Sequence, residues 1–440
     1  MTIAALRSAI PDVVVPGDPQ WDHARRFHSG IGEPDAVVCV SSVADVQVAV
    51  RWAAASGVPV LARGGGHGAW GAVPGGLTID LSALSAIAVE GTLVRVGGGA
   101  TWGVVAQALS EHGLGLSSGD TASVGVGGLT LGGGIGWMTR SWGLAIDQLI
   151  GVQIVTASGD VVEATDAGNA DLFWAVRGGG GNFGVVTRFD FRAHTLESVV
   201  FASYAVDGDA RPVLRTLRDV LADAPRELTV TFMDVPAMDP NAPAGATVTA
   251  CWIGADEDAA RVALAPIASA PGVTETELGV RAYPDILLEM PESDPAQPMP
   301  GFVGGNTLVR ELGDGTIDRL VTFRQRHPAS VLFLRSLGGA YGDVATDATA
   351  FGARDATWFA MAGAFDIPGM LDDDDRADAL RAWAGVEALG EGVYGNFTTS
   401  TDPGWVGRMY PPATLRRLAE VKRAWDPGNV FSRNHNVLPA

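Results

Sequence analysis

Lysine is nearly missing from this chain: of its 30 lysines and arginines, only Lys422 is a lysine. A phosphate-binding P-loop needs Gly-Lys-Ser/Thr, and Lys422 follows Val421, so that motif is absent. A catalytic lysine is excluded unless it is Lys422, which lies in a basic helical stretch and reads as a solvated surface group. Cysteine is equally scarce. Cys39 and Cys251 support neither a disulfide framework nor a cysteine-based zinc site, and no metal site is read. No apolar run is long enough to span a bilayer. The opening Met1-Thr2-Ile3-Ala4-Ala5-Leu6-Arg7 lacks a basic segment followed by an apolar one, so no signal peptide is read and a cytoplasmic protein is expected. Positive charge is outweighed too, at 30 basic against 50 acidic residues and a net charge of −20. That speaks against nucleic acid or an anionic membrane as partner, since both need a basic footprint.

What is present is a folded chain of 440 residues, 47% hydrophobic and 18% charged, long enough for two domains. Its punctuation is glycine. Pro59-Val60-Leu61-Ala62-Arg63-Gly64-Gly65-Gly66-His67-Gly68 runs from a β-rich segment into three consecutive glycines. Successive bare N–H groups in such a turn form a concave anion site. Arg63 at one end and His67 at the other suit a diphosphate cradle with a reactive side chain at its rim; the alternative is an ordinary glycine turn with a surface histidine. Residues 113–136 are glycine-rich with apolar flanks, which favours an ordered, ligand-wrapping loop over disorder.

Strands are read at 36–40, 59–62, 77–81, 93–96, 149–157, 161–163 and 185–191. Helices are read at 42–56, at 101–111 with Thr101 as cap, and at 171–176. The texture changes near His194. Beyond it, strands at 229–233, 247–252 and 331–334 alternate with alanine-rich helices such as 256–267, and the proline-rich 284–300 reads as a loop. The chain therefore divides into 1–195, 196–392 and a segment 393–440 containing a helix at 412–425.

Gly179-Gly180-Gly181-Asn182-Phe183-Gly184 satisfies G-x-G-x-x-G, but it follows a helix and leads into a strand. A nicotinamide-binding unit has the reverse order, so a nicotinamide dehydrogenase is not supported. A broader pattern is more specific. Arg63-Gly64-Gly65-Gly66-His67, Val124-Gly125-Val126-Gly127-Gly128 with Gly132-Gly133-Gly134-Ile135-Gly136, the run 171–187, Tyr394-x-Asn396 and Asp426-Pro427-x-Asn429-Val430-Phe431 occur in that order. Together they resemble the berberine-bridge-enzyme-like branch of FAD-linked oxidases, which shares the p-cresol methylhydroxylase (vanillyl-alcohol oxidase) fold. The likeness is dense over 36–194 and 392–438 and thin between.

That resemblance implies an α+β protein: a p-cresol-methylhydroxylase-type FAD-binding domain of two α+β subdomains (1–195), a substrate domain whose antiparallel sheet is covered by helices (196–392), and a segment (393–440) returning to the first. It implies FAD cradled by Arg63, Gly64, Gly65, Gly66 and Gly68, bonded covalently to His67, and surrounded by Thr121, Val124, Gly127, Gly128, Gly134, Asn182, Gly184, Val186, Tyr394 and Asn396. Many members attach the flavin a second time, through a cysteine that aligns with Thr121. Attachment through His67 alone is therefore expected, as in the nicotine-oxidising and polyketide-tailoring members; the ending Asn434-His435-Asn436 also resembles that of the nicotine-oxidising members. Val124 stands where a small valine is associated with oxygen access. Tyr394 is the candidate proton acceptor beside Asn396, with Tyr341 second; either could instead be a buried tyrosine with a satisfied hydroxyl. Asn182 could equally be a turn asparagine, and His327 and His435 are alternatives to the tyrosines, each read first as structural. The implied reaction takes hydride from a C–H next to OH or NH of a small organic molecule and passes electrons to molecular oxygen, giving hydrogen peroxide. A dehydrogenase, an oxygenating enzyme, a carbohydrate oxidase and a ligand-storing flavoprotein are the alternatives. Oligomeric state is open between monomer and homodimer.

Overall fold

The helix Val43–Ser56 forms because both of its ends are specified. Ser42 Oγ accepts from the Asp45 N–H while the Asp45 carboxylate accepts from the Ser42 N–H, and Gly57 closes the far end at φ 66°. Val46, Ala49, Val50 and Ala53 recur at helical spacing and are buried. This helix carries the chain from strand Ala36–Cys39 to Val60–Arg63, and both strands run parallel to Leu77–Asp80 between them. Val13–Val14 completes this four-stranded sheet at its edge. The glycine turn thus leaves the C-terminal end of a parallel strand, where sheets with such crossovers present ligands.

The computed structural model describes residues 2–28, 30–237, 244–290, 301–367, 369, 371–398 and 400–440. A second, antiparallel sheet has the order Val161–Ala164, Leu149–Val155, Val185–Arg192, Leu93–Gly97, Ile87–Glu90. The glycine-rich stretch 113–136 includes the short strand Leu114–Gly115 and the helix Val126–Leu131. Thr101 does precede the helix Trp102–Ser110, but its side chain makes no capping bond; its backbone bridges to Gly125 instead.

A third sheet of seven antiparallel strands has the order Val273–Arg281, Val199–Val206, Gly245–Ile253, Leu228–Val235, Ser330–Ser336, Trp358–Asp366, Gly301–Val309. The period-2 alternation of a strand divides its residues between two faces. Leu332, Leu334, Trp358, Ala360 and Ala362 pack under the helices Arg211–Asp223, Asp314–Arg326 and Asp373–Glu387. Phe333, Phe359 and Leu308 instead join Ile135, Tyr394 and Phe397, residues from outside this sheet. Of the expected proline-rich loop 284–300, Tyr283–Ile286 is a single 3-10 turn and 291–300 lie outside the described residues.

The helix Pro412–Trp425 and the residues after it pack back on the second sheet, where Leu418, Val421 and Val437 share a core with Phe173, Phe189 and Val152. Here the structure corrects the reading of Lys422. It is fully buried: its Nζ pairs with Asp426 Oδ2 at 2.7 Å and donates to Asn182 O (2.7 Å) and Phe431 O (3.0 Å). Asp426 also accepts from the N–H groups of Val430 and Phe431. The Asp-Pro-x-Asn-Val-Phe motif is thus a carboxylate-centred turn around a buried ammonium. The neighbouring arginines had made that lysine look solvated, but its burial is made tolerable by three acceptors.

Candidate active site

A cavity of about 440 Å³ opens at the glycine turn that follows the strand Val60–Arg63. Its walls come from 60–71, 119–135, 178–189, 394–398 and 431–435. Of the residues read from sequence, Arg63, Gly64, Gly65, Gly66, His67, Gly68, Thr121, Val124, Gly127, Gly128, Asn182, Gly184, Val186, Tyr394 and Asn396 all line it. Gly134 does not, though its N–H reaches a lining residue, Tyr394. Tyr341 stands apart from the lining: it is buried against Phe351 and Arg354 and its hydroxyl donates to Ala353 O, so its proton is spent within the fold.

The cradle is two glycine loops pressed together. A Cβ on Gly65 would overlap Gly125 N and Ser123 O, and one on Gly125 would overlap Gly65 N. Gly66 turns the chain at φ +73°, a conformation side chains resist. Arg63 serves chiefly as a strut. Its Nη1 donates to Ala24 O and Arg26 O at 2.6 and 2.7 Å, and its Nη2 pairs with Asp80 at 2.5 Å. With Arg63 committed to protein partners, what this turn offers an anion is mainly its backbone N–H groups.

His67 is stacked on His28, ring centroids 3.7 Å apart, and its Nε2 lies 3.0 Å from Ser123 Oγ. Burial, with the His28 charge adding to it, holds its pKa at about 4, against a smaller opposing effect of the Ser123 contact. His67 is thus a neutral imidazole near neutral pH, the form whose lone pair can bond carbon. Tyr394 is fully enclosed, and its hydroxyl oxygen accepts from the N–H groups of Gly134 (3.0 Å) and Ile135 (3.3 Å) and from Asn396 Nδ2 (3.0 Å). Burial raises its pKa while those three donors lower it, and burial prevails. Among the described residues its hydrogen-bond donors are all uncharged, two backbone N–H groups and one amide. Asn182 pins the tail: its Nδ2 donates to Gly179 O and His435 O, and its Oδ1 accepts from the Val437 N–H.

The structure adds residues that sequence reasoning missed. Asn306, fully buried, accepts the Tyr394 N–H (2.7 Å) and donates to Tyr394 O (3.0 Å) and Phe397 O (2.6 Å), clamping the 394–397 segment to the seven-stranded sheet. A polar residue inside the apolar run Gly301–Val309 was the available signal. Ser123 and His28 beside His67 left no comparable sign.

The residues present fit a dinucleotide cofactor. Gly68 and Gly128 line the cavity with nothing within 4 Å of where a Cβ would stand, so both present bare backbone to open space. Asn434 Oδ1 and His435 Nδ1 are buried on the same wall with no partner among the described residues, and buried polar atoms ordinarily have one. The profile "FAD binding domain" matches residues 34–165, and "Berberine and berberine like" matches 393–438. (R)-6-hydroxynicotine oxidase of Paenarthrobacter nicotinovorans is 30% identical, over 97% of this chain and 96% of its own. Among solved structures, 6-hydroxy-D-nicotine oxidase of Arthrobacter nicotinovorans is 25% identical, covers 98% of both chains and superposes with a TM-score of 0.82. Glucooligosaccharide oxidase of Acremonium strictum, described with a 6-S-cysteinyl, 8α-N1-histidyl FAD, is 24% identical with a TM-score of 0.84 over 99% of each chain, a likeness of fold. Cavity, cradle and fold define an FAD-dependent oxidoreductase of the p-cresol methylhydroxylase type. The chain belongs to the berberine-bridge-enzyme-like FAD-linked oxidoreductases.

Proposed function

We propose that this enzyme is an oxidase with FAD attached through His67 alone. It oxidises a small, secondary-metabolite-like organic substrate at a C–H next to OH or NH and gives electrons to oxygen to form hydrogen peroxide. The observation that carries this reading is that His67 and Tyr394 line one cavity, the first neutral and the second ringed by N–H donors. When bound, FAD supplies a two-electron acceptor that takes hydride and can be reoxidised by oxygen.

The protein's share is positioning and proton handling. With Nε2 engaged by Ser123, His67 has Nδ1 left for attachment. Thr121 lines the cavity without a thiol, which supports a single linkage. Tyr394 acts as a phenolate, held by the N–H groups of Gly134 and Ile135 with Asn396 Nδ2 as fixed donors hold negative charge; it takes the proton of the substrate OH or NH and becomes a neutral phenol. Phe397, stacked on Tyr394 and Phe333, excludes water and favours an apolar substrate body.

The test is a denaturing gel of acid-precipitated wild type and His67→Ala, paired with an oxygen electrode. A fluorescent band in the wild type only, with oxygen consumption on an alcohol, amine and phenol panel, is the expected result. Free FAD released from the wild type removes the covalent claim. Flavin reduction without oxygen uptake makes the enzyme a dehydrogenase.

A further inference from the structure

We propose that Asp120 is the substrate-recognition residue of this cavity, its carboxylate accepting a hydrogen bond from an amine or hydroxyl on an otherwise apolar substrate. The inference rests on the flavoenzyme reading above and names the kind of molecule that reading leaves open. Among the described residues that line the cavity, Asp120 is the only acid. Its Oδ2 receives Arg335 Nη2 at 2.6 Å, whereas its Oδ1 has no hydrogen-bond partner among the described residues. The Arg335 side chain is 2% exposed and that of Asp120 15%, so it is the acid that reaches open space.

Arg335 cannot swing to follow a ligand. Its Nε donates to Thr231 Oγ1 at 3.0 Å, and its guanidinium lies 4.6 Å from the centre of the Trp137 ring and 5.4 Å from that of Phe333. The Asp120 backbone is held as well, its carbonyl accepting the Leu288 N–H at 2.7 Å. A fixed cation thus holds a fixed acid that has one acceptor to spare. An ion pair serving only to tie the seven-stranded sheet to the 119–123 loop would gain by satisfying both oxygens. A spare acceptor beside an aromatic wall takes an N–H or O–H and repels a carboxylate, because an anion in an enclosed cavity would face an unpaired oxygen.

The flavin-loaded enzyme is titrated with benzylamine, benzyl alcohol and benzoate while the flavin spectrum is followed. Benzylamine and benzyl alcohol are expected to bind at least about tenfold more tightly than benzoate, the range of a hydrogen bond to a charged group. Asp120→Asn abolishes the preference. Because that variant leaves Arg335 buried and unpaired, Asp120→Asn/Arg335→Gln is made alongside; it removes both charges and is expected to lose the preference while keeping its flavin. If the preference survives in the double variant, or the flavin-loaded wild type answers the three probes alike, including not at all, this inference falls and the flavoenzyme reading stands. A wild type that carries no flavin overturns both.

Discussion

Residues 63–68, 119–128 and 178–184 line the cavity with a run of glycines, whereas the strands Ser330–Ser336, Trp358–Asp366 and Gly301–Val309 contribute no lining residue among those described and reach the site only through Phe333, Phe359 and Leu308, whose side chains pack with the lining residues Ile135, Tyr394 and Phe397. Call these the floor and the roof. The floor is shaped by residues that lack side chains, such as Gly65 and Gly125, whose loops touch backbone to backbone. The roof is shaped by every second residue of strands whose other face is an ordinary core. A backbone surface demands a contiguous sequence, while a side-chain surface demands only alternation. The floor is therefore tied to contiguous sequence, whereas the roof can change one residue at a time.

The largest expected break falls where the tail locks the floor. Lys422→Met leaves Asp426 buried without its partner and should cost about 3–5 kcal/mol in urea unfolding, the range for breaking a buried pair. A cost below ~1 kcal/mol, the scale of an exposed pair, would mean that the ammonium is not buried as described. Tyr394→Phe tests the chemistry at the boundary of floor and roof. It should lower kcat by about 10²–10⁴-fold with flavin retained, the scale of a lost general base. Tyr341→Phe, away from the cavity, should leave kcat near wild type; equal losses in both would remove Tyr394 from its role.

The two regions also differ in how far the sequence alone revealed them. Arg63 to His67 and Tyr394-x-Asn396 were visible because motif and function coincide along a few residues. Asn306 and Arg335 were not, because each acts on residues far along the chain through sheet register, which no local pattern records. Lys422 was misread for the opposite reason: its neighbours are charged, and only the fold shows it turned inward. Glycine was legible as a type but not by role. Gly65 serves loop packing and Gly68 open space, though they stand three apart.

That last contrast sharpens the comparison further. Gly65→Ala forces a methyl into Gly125 and should destabilise the floor by about 1–3 kcal/mol, with a fall in bound flavin; Gly68→Ala should leave stability unchanged. Matching melting temperatures for the two variants would contradict the described loop contact. On the roof side, Asn306→Ala strips three hydrogen bonds from 394–397 and should cost about 1–3 kcal/mol, read as a lower urea midpoint with kcat falling more than flavin content.

The smallest effect is acid sensitivity at His67. Burial and His28 hold its pKa at about 4, below its ordinary 6.5. The unfolded chain takes up that proton first, so the flavin-free fold keeps this contribution above pH 6.5 and loses it as pH falls toward 4. His67→Gln should flatten the melting-temperature decline across that window. An unchanged slope would mean that the imidazole is not buried in the flavin-free protein.

The tail's part in the cavity has a consequence for timing. The glycine turn at 63–68 leaves the ribosome long before 431–437, yet Asn182, Lys422 and Asp426 fasten those late residues onto the wall beside it. Until they arrive the site lacks one side, and contacts so distant along the chain form slowly. Flavin capture therefore belongs to the closing phase of folding, and the nascent chain has to pass through a period in which its glycine loops stand open to water without the ligand they fit.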